Sequence, residues 1–286
     1  MDYRYIIMFN TSFTKESCIE VVKKHNAKVR YLFELIPAVA IEIAPEEIPL
    51  LNKDPHIDKI VFDLRSGESK PSPFKFLDPD KKIRYLVPAD YDYNADRVQR
   101  ELEKDSDVHL TSNLANIDTG VDNQHPVLRG RVDKEYDLTG EGLIDLNGHG
   151  TIVASIALVS AQLRTGIISV KVANKKGVFW ESDIMAGIEV VYREAVERET
   201  TISVNISLGI YHKKCVGDCP LCLLANAASN KLLIFAAAGN IPGLISCPAK
   251  AGAVISVGAL DSSGKIANYS GTGKIHGPGT VKFKTV

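Results

Sequence analysis

The 286-residue chain has no surplus of either charge: 34 lysines and arginines stand against 35 aspartates and glutamates. Such a balance gives no pull toward a polyanion, so neither nucleic acid nor an anionic membrane surface is expected as a partner. Apolar runs are short throughout, and none approaches the roughly 20 residues needed to cross a bilayer. The start, Met1-Asp2-Tyr3-Arg4-Tyr5-Ile6-Ile7-Met8, enters an apolar stretch at once and lacks the layout of a secretion signal. Cysteine is scarce, with five residues in all and four of them between Cys215 and Cys247. They do not make a whole-chain disulfide framework, which points to an intracellular, cytoplasmic protein. Internal repeats and low-complexity tracts are absent.

What is present divides near residue 65. Tyr3–Phe9 is apolar and β-prone, and Thr14–His25 has helical spacing at Cys18, Val21 and Val22. Lys23, Lys24 and His25 suit the negative end of that helix, and Asn26 suits its stop. Lys28–Phe33 and Ala38–Ile43 read as strands. A second helix opens at Pro45-Glu46-Glu47, where a missing N–H and negative charge both fit a first turn. Ile57–Phe62 is a further strand. The order βαββαβ predicts a small α+β, ferredoxin-like unit over residues 1–64. Residues 65–82, polar and proline-bearing, read as a linker. The remainder, 83–286, forms the second domain, with a short helix expected at Asn94–Lys104.

From Leu114 onward, apolar strands alternate with helices. Strands are expected at Leu114–Ile117, Gly166–Val172, Ile202–Ile206, Leu232–Ala238 and Ala253–Ala259. Helices are expected at Gly150–Leu158, Ser182–Glu199 and Cys222–Asn230, the long one with Ile184, Ile188, Val191 and Val196 inward. This alternation predicts an α/β, doubly wound and mostly parallel sheet. Sites in such sheets gather beyond the carboxyl ends of the strands. Asp118, Ser207-Leu208-Gly209 and Gly239-Asn240 all fall just after a strand.

Asp118 lies in Asp118-Thr119-Gly120, and His149 follows 31 residues later in Gly148-His149-Gly150-Thr151. Taken alone, either is most simply a turn aspartate or an ordinary histidine. An aspartic-protease reading needs two Asp-Thr-Gly carboxylates, and this α/β chain has one. Together the two residues suit a serine hydrolase. Imidazole has the pKa to take a hydroxyl proton, and a buried carboxylate fixes its tautomer and stabilises the imidazolium. Gly148 and Gly150 keep backbone bulk away from substrate.

On these residues the chain resembles the subtilisin-like serine peptidases. Ile117–Asp122 with His125-Pro126 is similar to the family's aspartate motif, and Gly148–Thr151 with Val153-Ala154 to its histidine motif. Val204-Asn205-Ile206-Ser207-Leu208-Gly209 resembles the strand lining the primary specificity pocket. Phe235–Asn240 resembles the segment ending in the oxyanion asparagine. Cys247-Pro248-Ala249 and Val257-Gly258-Ala259 resemble the segments that follow. The resemblance implies Asp118 and His149 as catalytic residues and Asn240 as oxyanion donor. It also implies substrate contact at Ser207, Leu208 and Gly209, a polypeptide substrate, and catalysis without a cofactor. Residues 1–64 then resemble the family's inhibitory pro-domain, which occupies its own enzyme's cleft.

Two departures stand out. Ile152 takes the place of a frequent second histidine that is not catalytic. More seriously, no Gly-Thr-Ser followed by small residues and proline occurs. The nearest string, Ser270-Gly271-Thr272-Gly273-Lys274-Ile275-His276-Gly277-Pro278, puts glycine in the serine's place. A better alignment matches Ala267–Ser270 and Gly277-Pro278-Gly279 to the loop and turn before the serine motif. The expectation is therefore a subtilisin-like endopeptidase truncated before its nucleophile. The alternative is an inactive pseudo-peptidase that serves as a protein-binding module. The cysteines Cys215, Cys219, Cys222 and Cys247 allow a four-thiolate zinc site, two disulfides or unpaired thiols. Phe179 and Trp180 suit either a hydrophobic subsite or loop packing.

Overall fold

The computed structural model describes residues 3–10, 14–67, 113–160, 165–261, 263–273 and 281–285. The helix expected at 94–104, most of the linker and the turn at Gly277–Gly279 lie outside the described residues.

The N-terminal unit forms the expected sandwich. Strands β1 (Tyr3–Phe9), β2 (Lys28–Leu32), β3 (Ala38–Ile43) and β4 (Ile57–Phe62) make an antiparallel sheet in the order β2-β3-β1-β4. Helix α1 (Lys15–Lys24) is capped by Thr14, whose hydroxyl accepts from the Ser17 N–H at 3.3 Å, and it buries Cys18, Val21 and Val22. Asn26 closes its end with a φ of 57°, a left-handed conformation that asparagine tolerates. After Pro45 a 3₁₀ turn (Pro45–Glu47) leads into the short α2 (Ile48–Leu51). Because side chains alternate across a strand, β1 serves two cores. Tyr5, Ile7 and Phe9 pack with α1, whereas Ile6 and Met8 belong to the core of the larger domain.

That larger domain is built on a seven-stranded sheet whose described pairs are all parallel. Its strands are β5 (Leu114–Asp118), β6 (Val132–Asp137), β7 (Ile167–Lys171), β8 (Ile202–Ile206), β9 (Leu232–Ala237), β10 (Ile255–Leu260) and β11 (Val281–Thr285). They lie in the order β11-β10-β9-β8-β5-β7-β6. From β5 the chain winds first to one side and then returns to fill the other, so strand order reverses beside β5. This is the topological switch point, where open parallel sheets hold their sites.

One face is covered by α3 (His149–Ser160), which packs Ala154 and Leu158 with Val121, Val127, Leu128 and Ile167. The other is covered by α4 (Glu181–Glu197) and α5 (Pro220–Ala228), whose core also takes Ile6, Met8, Phe33, Ala38 and Ala40 of the N-terminal unit.

Three sequence expectations are corrected. Two strands were not anticipated. β6, reading Val-Asp-Lys-Glu-Tyr-Asp, is an edge strand whose charges blunt its open side. β11 pairs with β10 at the opposite edge. Val196 does not face inward but is 47% exposed, and its neighbour Ala195 continues the stripe of Ile184, Ile188 and Val191.

Candidate active site

Asp118 ends β5 between β7 and β8 and is fully buried. Its Oδ1 accepts from the Thr119 N–H at 2.7 Å and lies 2.7 Å from His149 Nδ1. The charge of Asp118 raises the His149 pKa to about 9, against the opposing effect of burial. An imidazolium formed here is therefore strongly stabilised. Among the described residues, no hydroxyl hydrogen-bonds to the other ring nitrogen of His149.

The glycines around this pair act in close packing and turning. Gly148 has a φ of 90°, a left-handed turn into the helix. A Cβ on Gly150 would lie 2.1 Å from the Gly120 carbonyl oxygen and 3.2 Å from Asp118 Cβ. It is the contact between α3 and the β5 turn, rather than room for substrate, that requires glycine at position 150. The polar Asn116 in the centre of β5 has a similar purpose. Its amide donates to the Gly150 carbonyl at 3.3 Å and accepts from Asn205 Nδ2 at 2.9 Å, stitching α3, β5 and β8 together.

A residue that sequence reading passed over holds the other end of the pair. Buried Asp145 accepts from the N–H groups of Asn147 (3.0 Å), Gly148 (2.8 Å) and Thr151 (2.9 Å), and from the Thr151 hydroxyl (2.7 Å). These bonds satisfy donors at the start of α3 that the helix leaves open. The hydroxyl of Thr119 in turn accepts from the Gly150 N–H at 2.8 Å. Burial raises the Asp145 pKa, and its hydrogen bonds with Thr151 and neighbouring donors oppose that shift. Lys171, wholly buried at the end of β7, donates to the carbonyls of Gly142 (3.0 Å) and Ile144 (2.7 Å), anchoring the loop that carries Asp145.

The remaining predicted residues lie at neighbouring strand ends. Asn240 is exposed beyond β9, and its N–H donates to the Tyr211 hydroxyl at 2.7 Å. Gly239 before it has a φ of 96°, and a Cβ there would meet that hydroxyl at 2.3 Å. Ser207, Leu208 and Gly209 follow β8, with the Ser207 hydroxyl accepting from Asn205 Nδ2 at 3.0 Å. Gly209 presses against Ser246, whose Oγ would be 2.6 Å from an added Cβ. Structure thus joins Asp118 directly to His149. It places Asn240 and Ser207–Gly209 on adjoining carboxyl ends, and among the described residues no direct hydrogen bond ties them to the pair. The four clustered cysteines come together at a separate place, beyond β8 and at the start of α5.

Phe179 and Trp180 stand on an edge already occupied. The Ser66 N–H donates to the Phe179 carbonyl at 2.9 Å, and the Glu181 N–H donates to the Leu64 carbonyl at 2.8 Å. Arg65 and Trp180 form the antiparallel bridge between them. Arg4 lies over the Trp180 ring, 4.3 Å from its centroid, and pairs with Asp63 at 2.8 Å and Asp183 at 3.3 Å.

A doubly wound sheet with a buried Asp–His pair at its switch point is an α/β architecture to which sequence comparison gives a family. The description of the subtilase family matches residues 113–284, and the chain belongs to that family. A thermophilic serine proteinase of Bacillus sp. (strain AK1) is 36% identical over 176 residues, covering 56% of this chain and 41% of that protein. The subtilase-type proteinase RRT12 of Saccharomyces cerevisiae is 32% identical over 180 residues, covering 57% of this chain and 35% of its own length. This chain thus spans less than half the length of these relatives. The epidermin leader peptide processing serine protease (EpiP) of Staphylococcus aureus shares the fold, with a TM-score of 0.63 at 19% identity. That likeness covers 96% of this chain and 74% of the other. Among the described residues, no helix is long and apolar enough to cross a membrane.

Proposed function

We propose that the chain carries the acid–base half of a serine endopeptidase site, with the N-terminal unit lying in the cleft as its own inhibitor. The carrying observation is the 2.7 Å contact between His149 Nδ1 and a fully buried Asp118 carboxylate. With Nδ1 so engaged, Nε2 of His149 is the atom that takes a serine proton and later returns it to the leaving amine. Asp118 stabilises the imidazolium in between. The Asn240 side-chain amide, exposed beyond β9, donates to the oxyanion of the tetrahedral intermediate. In subtilisin, a member of the same family, losing such a donor lowers turnover by about 10²–10³.

A polypeptide substrate binds as an extended strand on the backbone of Phe179–Glu181, with Ser207–Gly209 along the opposite side. Strand addition of this kind draws affinity from main-chain hydrogen bonds. Leu64–Ser66 makes those bonds here, which supports reading residues 1–64 as a pro-domain that blocks the cleft. The nucleophile is none of these 286 residues, because no serine motif of the family's form occurs in them. In subtilisin, loss of the nucleophile lowers turnover by about 2 × 10⁶. A protein-binding module that keeps the cleft without hydrolysis is a second reading, favoured by the same missing motif.

A fluorophosphonate probe decides between these outcomes. The 286-residue chain is expected to take no label. A product that continues past Val286 through a Gly-Thr-Ser segment is expected to label and to cleave casein, with both activities lost in His149→Ala. A stop codon directly after Val286 favours the binding module. His149-dependent labelling of the 286-residue chain contradicts the assignment of the nucleophile.

A further inference from the structure

Four of the five cysteines are brought to one point by parts of the chain that are far apart in sequence. Cys219 precedes α5, Cys222 lies in its first turn, Cys215 sits in the loop before it, and Cys247 arrives from beyond β9. Their Sγ atoms all lie within 4.8 Å of one another, and Cys215 and Cys222 are 4.0 Å apart. Cys219, Cys222 and Cys247 are buried, and none of the four is in a disulfide.

We propose that Cys215, Cys219, Cys222 and Cys247 bind a single Zn²⁺ as four thiolates, a site separate from the Asp118–His149 pair and from the peptide cleft. A tetrahedral Zn–S₄ centre has bonds of about 2.3 Å, which sets its sulfur–sulfur edges at about 3.8 Å. Four sulfurs mutually within 4.8 Å close around one ion with small adjustments. Two disulfides would instead draw the sulfurs into pairs at about 2.05 Å and leave the pairs without a reason to meet.

The surroundings suit thiolates. The Gly217 N–H donates to Cys215 Sγ at 3.2 Å, and Gly217 has a φ of 99°, as a turn folded back onto a sulfur requires. Cys219 and Cys222 occupy the start of α5, where the helix dipole favours negative charge. Lys250, 6% exposed, donates its Nζ to the carbonyls of His212 (2.8 Å) and Cys215 (3.2 Å), placing a cation against a site of net charge −2. A neighbouring trio of Glu181, His212 and Cys219 shares one sulfur with this cluster, but Glu181 and His212 are already paired at 2.8 Å. Four protein ligands complete the tetrahedron, so the ion is structural. It fastens the loop leaving Ser207–Gly209 to the segment after Asn240, where the Ile210 and Cys247 backbones already exchange hydrogen bonds of 3.0 and 2.8 Å.

Metal analysis of the full chain, purified under reducing conditions from zinc-supplemented cells, tests this. About one zinc per chain is expected in the wild type and in Cys18→Ser, whose cysteine lies in the N-terminal unit. Cys247→Ser is expected to lose at least about tenfold of that zinc, as loss of one of four ligands requires. Should that variant fold poorly, wild-type protein reconstituted with Co²⁺ gives an independent answer. It is expected to show the intense visible absorption and thiolate charge-transfer bands of a tetrahedral cobalt site. Zinc-free protein whose mass is lower by the four hydrogens that two disulfides remove would overturn the proposal. Iron in place of zinc, or a cobalt adduct without thiolate bands, would also overturn it.

Discussion

At the start of α3 the Asp145 carboxylate takes four hydrogen bonds, from Asn147, Gly148 and both donors of Thr151. At the start of α4 the Asp63 carboxylate takes the N–H of Ser182 at 2.9 Å and its hydroxyl at 2.7 Å, and faces Arg4. Both aspartates are buried, and burial raises both pKa values, that of Asp63 to about 6. The difference is where the carboxylate comes from. Asp145 is four residues from the histidine it helps to place, whereas Asp63 reaches α4 across 119 residues of chain. One device orients His149 and forms with its own loop. The other joins the N-terminal unit to α4. Glu189 repeats the second pattern, accepting from the N–H groups of Glu34 (2.6 Å) and Leu35 (2.8 Å).

Removing Asp63 should have the largest effect. Asp63→Ala leaves a nearly buried Arg4 without its main partner, and breaking such a pair costs about 3–5 kcal/mol. Denaturant unfolding is expected to show the loss, accompanied by faster proteolysis of residues 3–64. If both stay at wild-type values, the Asp63 cap does not hold the two units together.

Asp145→Ala strips one acceptor from several buried donors and is expected to cost about 1–3 kcal/mol. Here the N-terminal unit should stay as protected as in the wild type. NMR titration should show the His149 pKa falling, since the nearby Asp145 charge that helps to raise it is gone and the loop no longer holds the ring against Asp118. An unchanged His149 pKa would mean that Asp145 serves the helix and not the histidine.

The pH dependence separates the two helix starts further. The folded-state pKa of Asp63 is raised above its unfolded value of about 3.9. Its contribution is therefore fully present below that value and lost as pH rises through about 6. The pKa of His149 is raised above about 6.5. Its pairing with Asp118 therefore contributes fully below that value and is lost as pH rises through about 9. Tm profiles should show Asp63→Asn removing a fall in stability as pH rises from about 4 to 6, and His149→Gln removing a fall from about 6.5 to 9. The smallest effect belongs to Glu189→Gln, which keeps an acceptor oxygen for Glu34 and Leu35 and should cost about 1 kcal/mol or less by thermal unfolding.

What could be read from the sequence follows the same division between local and distant. Asp118, His149 and the strands of the N-terminal unit were legible because each announces itself over a few adjacent residues. Asp145 was not, because nothing in Asp145-Leu146-Asn147 distinguishes a turn aspartate from a cap that takes four hydrogen bonds. Strand β6 escaped because its charged residues suit an exposed edge and mask the alternation of a half-buried strand. Val196 was misjudged by one position, since Ala195 has the burial that a larger side chain would have signalled. For the cysteines the spacing between Cys215 and Cys222 left three arrangements open. It takes the pairing of Ile210 with Cys247 to carry the fourth sulfur across.

The central position of β5 has a consequence for how the site fails. Strand β5 is held by ladders to β7, where Asp118 faces Lys171, and to β8 as far as Ile117, so the amides beside Asp118 open to solvent only when the middle of the sheet opens. Hydrogen exchange there is expected to track global unfolding. His149, at the first position of α3, depends on a loop and a helix end, which open locally at lower cost. On warming, His149 and Asp118 should therefore part before either domain melts, so the pairing is lost at a temperature where the fold is still intact.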